Sequence, residues 1–207
     1  MDMEDAKERN PHLASYLEEY VTGSKQEPVF HEALSEKMAS MRIFNVIYPV
    51  GDPVFIHAYV TPNGAREYRA IEPNLDEDQS GRLERIKNEI LEVAPSVPSE
   101  NEEQLETTIE KLFERITIGE KARRSVFDRL RGRRTPVSEE ESVIMMYTLK
   151  RDLIKSGIIE PLLRDPYLED IHAVGLRRLS VVHKVFGMLS TNIHFRTEQE
   201  LDTFIRS

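Results

Sequence analysis

The sequence predicts an α+β protein in two parts. Residues 1–134 read as a helical subdomain carrying a three-stranded antiparallel meander, and residues 135–207 as a second subdomain with one long helix and a small antiparallel sheet. Three observations carry this. Between Met41 and Pro73 apolar residues come in short β-rich runs broken by turn formers. From Asp76 to about Arg131 they recur at helical spacing, and from Leu168 to Phe195 the short runs return.

In the first part, Asn10 followed by Pro11 supplies an N-cap and a first helical residue. Leu13, Tyr16, Leu17, Tyr20 and Val21 then follow at helical intervals, with Gly23 as the stop, and His31 to Met38 suits a second short helix. Strands are expected near Arg42–Tyr48, Val54–Thr61 and Glu67–Ile71, with turns at Gly51 to Pro53 and at Asn63-Gly64. Leu83, Ile86, Ile90 and Leu91 mark a helix ended by "APSVP". Ser99 with Glu102 suggests a capping box before Leu105, Ile109, Leu112 and Phe113. "ARRSVFDRLRG" reads as a third helix and "GRRTPVS" as the linker between the two parts.

The second part opens with another capping box, Ser138 with Glu141. Met145, Met146, Leu149, Leu153 and Ile154 form the buried stripe of its helix, and Gly157 suits the left-handed stop. Strands follow over Leu168 to Val174, Leu179 to Phe186 and Leu189 to Phe195, the last two joined by a tight turn at Gly187. A two-residue turn there puts Val182, Lys184, Phe186, Leu189, Thr191 and Ile193 on one face, expected to be the buried one. Leu179, Val181, His183, Val185, Ser190, Asn192 and His194 then share the other. Thr197 with Glu200 opens a last helix without a stop signal, and the apolar stripe reaching "FIRS" is expected to continue beyond Ser207.

The formal charge of -9 excludes a general nucleic-acid binder, since phosphate contacts need clustered Lys and Arg. Absent cysteines exclude disulfides and thiolate metal sites, and cytoplasmic residence is the default expectation. No apolar run approaches the roughly 20 residues that cross a bilayer. One segment departs from the average: Arg115 to Arg134 carries eight basic side chains against Glu120 and Asp128. Its Arg123, Arg124, Arg129, Arg131, Arg133 and Arg134 are the candidates for docking an acidic partner or anionic headgroups, the plain alternative being a solvated helix face.

No catalytic residue is expected. None of the glycines is followed by lysine, so a phosphate loop of the G-x-x-x-x-G-K-[ST] type is missing, as are G-x-G-x-x-G, H-E-x-x-H and G-x-S-x-G. His172, His183 and His194 are evenly spaced, yet no carboxylate is placed to join them in a metal site. Asp165, Glu169 and Asp170 form an acidic cluster, with Asp165 in ordinary turn chemistry before Pro166 and the other two solvated or paired with Arg164.

The stretch "YTLKRDLIKSGIIEPLLRDPYLEDIHAVG", followed by "VVHKVFGMLSTNIHF", resembles the region upstream of the catalytic core in archaeal ATPases of the GspE-like type II/type IV secretion superfamily. "HAVG" and "HKVFGML" are most similar to the archaellum motor branch, ahead of type IV pilus and type II secretion ATPases. The resemblance is strongest from Ser138 to Ser207; "NPHLASYLEEY", "NVIYPV" and "YRAIEP" fit the family's amino-terminal pattern less closely.

That resemblance implies the N-terminal domain of a hexameric ring motor whose ATP and magnesium sites lie in a C-terminal RecA-like domain beyond this sequence. It implies basic residues facing nucleotide phosphates, here Arg177, Arg178, His183 and Lys184 by position. Implied partners are the RecA-like domain of the same and of neighbouring subunits, a polytopic membrane platform protein, and a cytoplasmic motor partner. The expected location is the cytoplasmic face of the cell membrane.

Overall fold

The computed structural model describes residues 2–93, 101–119 and 134–206. The protein is α+β, and its chain forms two compact units: Met1–Pro73 together with Ile158–Ser207, and Asn74–Gly157. A division at 134/135 falls inside the second of these. The reason lies in strand pairing. Strands expected in two separate sheets hydrogen-bond into one.

In the discontinuous unit, α1 (Met3–Arg9) and α2 (Pro11–Ser24) precede β1 (Val29–Phe30), a 3-10 turn at Glu36–Ser40, and the meander β2 (Asn45–Pro49), β3 (Phe55–Val60) and β4 (Arg66–Ile71). The chain returns at Ile158 to form α6 (Glu160–Leu163), β7 (Leu168–His172), β8 (Ser180–His183), β9 (Gly187–Thr191) and α7 (Glu198–Arg206). The seven strands run in the order β1-β2-β3-β4-β9-β8-β7. β4 lies parallel to β9, with Glu67 opposite Ser190 and Tyr68 opposite Thr191. Asn192 closes that seam: its Oδ1 accepts the Ala70 N–H at 2.9 Å and its Nδ2 donates to the Ala70 carbonyl at 3.2 Å.

Register decides what each face buries. Ile47, His57, Phe55 and Ile71 share one face, where Ala6, Leu13 and Leu17 from α1 and α2 pack against Ile47, Phe55 and Ile71. Each of the Leu, Ile and Phe side chains contributes roughly 1.5–3 kcal/mol by leaving water. Tyr48, Ile56, Ala70, Tyr68, Leu189, Val181 and His183 share the opposite face, and all of them are buried. The helix α1 has no counterpart in the sequence reading; Asp2 caps it, accepting from the Asp5 N–H at 2.9 Å.

The β8–β9 hairpin corrects one face assignment. Val181 pairs with Leu189 and His183 with Gly187, so Lys184, Val185 and Phe186 form a three-residue loop rather than a two-residue turn. One extra loop residue shifts the register by one and exchanges the faces of β8. Val181 and His183 therefore point inward with Leu189, Thr191 and Ile193, while Lys184 is exposed. Gly187 closes the loop at φ +71°, the left-handed region that Cβ-bearing residues enter at a cost.

The continuous unit contains α3 (Glu77–Val93), α4 (Glu102–Ile116), β5 (Thr117–Gly119), β6 (Thr135–Val137) and α5 (Glu139–Leu153). Leu83, Ile86 and Ile90 of α3 meet Ile109, Leu112 and Phe113 of α4 and Met145 and Leu149 of α5 in its core. The expected capping box forms: Ser138 Oγ accepts from the Glu141 N–H at 3.1 Å, and Glu141 Oε2 from the Ser138 N–H at 2.8 Å. At α4 the N-cap is Asn101 rather than Ser99. The segment expected as a linker instead supplies β6, parallel to β5. Ion pairs tie the helices together, among them Lys87–Asp152 at 3.2 Å and Lys150–Glu110 at 2.6 Å. The helix expected over "ARRSVFDRLRG" lies outside the described residues.

Candidate functional site

The loop between β7 and β8 is one of the exposed stretches of the sheet unit. Gly175 at φ +57° turns it, and the Arg177 N–H donates to the Val174 carbonyl at 3.3 Å. Val174 and Leu176 stand in solvent at 65% and 42% exposure, far more than apolar residues of a finished core. Arg177 is exposed beside them, and its guanidinium has no partner among the described residues. Arg178 differs: its Nε donates to the Thr191 carbonyl and its Nη2 pairs with Glu67.

The four residues expected to face phosphate do not come together. β8 separates Arg177 and Arg178 at one end from His183 and Lys184 at the other, a span on the order of 20 Å in extended chain. Lys184 Nζ donates to the Pro166 carbonyl at 2.5 Å. His183 is 1% exposed and cannot present itself to a ligand. Of the docking arginines, Arg123, Arg124, Arg129, Arg131 and Arg133 lie outside the described residues. Arg134 donates to the Arg115 and Glu114 carbonyls at 2.9 and 3.4 Å, where a cation complements the C-terminus of α4.

His183 belongs to a buried network assembled from four distant segments. Its Nδ1 accepts the N–H groups of Val185 and Phe186 at 3.0 and 3.2 Å, which places the ring proton on Nε2. Nε2–H then donates to the Tyr48 hydroxyl at 3.0 Å, and that hydroxyl donates to Asp165 Oδ2 at 2.7 Å. The Tyr68 hydroxyl donates to the same oxygen at 2.9 Å, and Asp165 Oδ1 accepts the Tyr167 N–H at 2.8 Å. Burial pushes the Asp165 carboxyl up and the phenols of Tyr48 and Tyr68 well up. Burial, with Lys184 adding repulsion, pushes the His183 imidazole down to about 4.

A second network lies under α2. His57 Nε2 donates to Asn45 Oδ1 at 2.7 Å, leaving Nδ1 to accept from the Tyr16 hydroxyl at 2.6 Å. The Arg69 guanidinium sits 5.3 Å from the Tyr16 ring centre. Burial first, then Arg69, push His57 down to about 3, and burial pushes the Tyr16 phenol up.

Neither network is a catalytic arrangement. Each donor meets an acceptor, and the Asp165 carboxylate, 5% exposed, takes three donors, so it is positioned as a staple rather than a base. Glu169 and Asp170 are exposed on β7, and Arg164 pairs with Glu160 at 2.9 Å instead of with them. Among the described residues no three His, Cys, Asp or Glu side chains gather to hold a metal ion. Nor is any helix there long and apolar enough to cross a membrane. The sequence reading missed Tyr48, Tyr68, Asn45, Tyr16 and His57, whose meeting is set by sheet register and helix packing and not by a local motif.

No protein-family model matches the chain. It is similar to the uncharacterized protein MJ0900 of Methanocaldococcus jannaschii, 38% identical over 213 residues that cover all of this chain and 39% of that protein. It is also similar to the uncharacterized protein MJ1288 of the same organism, 28% identical over 172 residues, covering 82% of this chain and 62% of that protein. The chain thus spans less than two thirds of either relative. Neither name carries an activity.

Proposed function

We propose that the chain is the non-catalytic N-terminal part of a hexameric secretion-type motor ATPase that drives archaellum assembly or rotation. In this reading ATP and magnesium are bound by a RecA-like domain outside this sequence, and turnover there moves this part against a membrane platform protein. The residues present do not fit a nucleotide site of their own, because neither a phosphate-cradling loop nor its lysine is in the sequence. The observation that carries the reading is the Arg177 loop: an exposed guanidinium with no partner among the described residues, directly after the exposed Val174 and Leu176, on a sheet fixed by buried polar staples and within the stretch that resembles these motors. The length of the relative MJ0900 beyond the aligned region leaves room for a second domain.

An arginine offered from a neighbouring domain would act on phosphate by stabilising charge in the transition state. The test is ATP hydrolysis by the full-length parent protein with Arg177→Ala. A fall in kcat of about tenfold or more, with the fold unchanged, is the expected result, given that such arginines contribute about 10³- to 10⁵-fold where they act on the transition state. A parent without a Walker lysine downstream, or without ATPase activity, overturns the motor reading. An active parent indifferent to Arg177→Ala removes only the role of that residue.

A further inference from the structure

A groove of about 560 Å³ opens between α1, α2 and the β1 edge of the sheet, within the range of roughly 300–1,000 Å³ typical of binding clefts. Its floor is apolar, lined by Met3, Ala14, Leu17, Val21 and Phe30. Leu17 belongs to the core beneath, and Met3 and Phe30 pack against that core, so the floor is anchored by buried contacts. The rim is acidic. Glu4 is neutralised by Lys7 at 2.6 Å, but Glu18 and Glu27 are exposed and no cation among the described residues pairs with them. Residues 1–30 carry seven Asp and Glu against three Lys and Arg.

We propose that this groove docks an amphipathic helix of a partner protein, one whose apolar stripe is flanked by Lys or Arg. Charge complementarity selects the flanks, since Glu18 and Glu27 have no counter-charge among the described residues. The apolar floor selects the backbone form. It offers few hydrogen-bond partners to a peptide backbone, so the occupant must satisfy its own N–H and C=O groups, as a helix does. Strand addition is disfavoured at the same place, because β1 is two residues long and Pro28 before it has no N–H to give. The inference is independent of the motor reading and involves no nucleotide.

The probe is a fluorescein-labelled 18-residue Leu/Lys peptide with leucines at helical i, i+3, i+4, i+7 spacing, compared with its Leu/Glu counterpart by fluorescence anisotropy on the whole chain. Saturable one-to-one binding of the basic peptide, at least tenfold tighter than the acidic one, is expected. Glu18→Lys with Glu27→Lys should weaken it at least tenfold. Glu84→Lys with Glu89→Lys, the same charge change on exposed positions of α3, should change it less than twofold. Equal weakening by both pairs would reduce the effect to attraction toward a chain of net charge -9, and that overturns the proposal. So does non-saturable binding. A concentration-dependent dimer abolished by the Glu18/Glu27 pair would assign the groove to a second copy and overturn it as well.

Discussion

The two buried histidines make this fold acid-labile by an amount that can be worked out. His57 and His183 are fully buried on opposite faces of one sheet, with imidazoles pushed down to about 3 and about 4. The unfolded chain returns each to its ordinary value of about 6.5, so below that pH the unfolded state binds more protons than the folded one and stability falls as pH drops. Going from pH 7 to pH 5, each histidine removes about 2 kcal/mol, or about 4 kcal/mol for the pair. His12, lowered by burial despite its bond to the Pro53 carbonyl, works in the same direction. Asp165 works in the opposite one. Its carboxyl is raised by burial, so the folded state holds its proton more tightly, and stability is gained as pH falls through its folded-state value.

The assay is urea unfolding at pH 7 and pH 5, followed by tyrosine fluorescence and circular dichroism, since the chain has seven tyrosines and no tryptophan. The informative perturbation is His183→Asn. Asparagine Oδ1 can stand in for Nδ1 and keep the Val185 and Phe186 N–H groups satisfied, while the proton-binding nitrogen is gone. The variant should be less stable than wild type at pH 7, because the Tyr48 hydroxyl loses its donor. It should lose about 2 kcal/mol less than wild type on moving to pH 5. Histidine proton resonances of the wild-type chain give the same answer without a variant. Unchanged pH dependence in His183→Asn, or a His183 resonance titrating near 6.5, would refute the burial argument.

Three further outcomes follow from the same contacts. Tyr68→Phe removes one hydroxyl donated to the Asp165 carboxylate at 2.9 Å without opening a cavity, and should cost about 1.5–3 kcal/mol in urea unfolding; a loss under about 0.5 kcal/mol would mean Asp165 does not depend on that donor. Gly187→Ala meets nothing closer than the Arg66 side chain at 3.6 Å, so its loss of about 1–2 kcal/mol comes from the φ of +71° alone, with Gly187→Asn expected to lose less. Ser138→Ala breaks the capping box at the start of α5 and should lower stability by about 1 kcal/mol; Ser138→Asp should restore most of it.

Much of the fold was legible because its signals are local. Alternating runs around Asn63-Gly64 located the β2–β3–β4 meander, and Ser138 with Glu141 located the start of α5 to the residue. Local signals do not state which strands meet. Nothing between Glu67 and Tyr68 announces a parallel partner at Ser190 and Thr191, more than a hundred residues later. The two sheets therefore read as separate domains, while the helical unit between them sits inside the chain of a single sheet. The exchanged faces of β8 have a smaller cause of the same kind. Glycine at 187 fits either a two-residue turn or the closing position of a three-residue loop, and only the partner strand chooses between them.

The polar residues show why composition misleads about sites. Asp165 before Pro166 looks like turn chemistry, and its Oδ1 does accept from the Tyr167 N–H as a turn would have it. Its other oxygen holds two tyrosine hydroxyls from β2 and β4. One carboxylate thus joins the returning chain segment to strands laid down a hundred residues earlier. A buried charge of this sort contributes little net stability over a well-packed apolar substitute, but breaking it by removing one partner is expensive. That asymmetry gives it a discriminating role. A sheet built from two distant segments must select its register, and the register that places Tyr48, Tyr68 and His183 around Asp165 leaves no buried polar side-chain atom of that set without a partner. The consequence is experimental. Asp165→Asn, which keeps the shape but adds a donor facing two donors, should reduce the cooperativity of unfolding as well as the stability, whereas Tyr68→Phe should reduce stability alone.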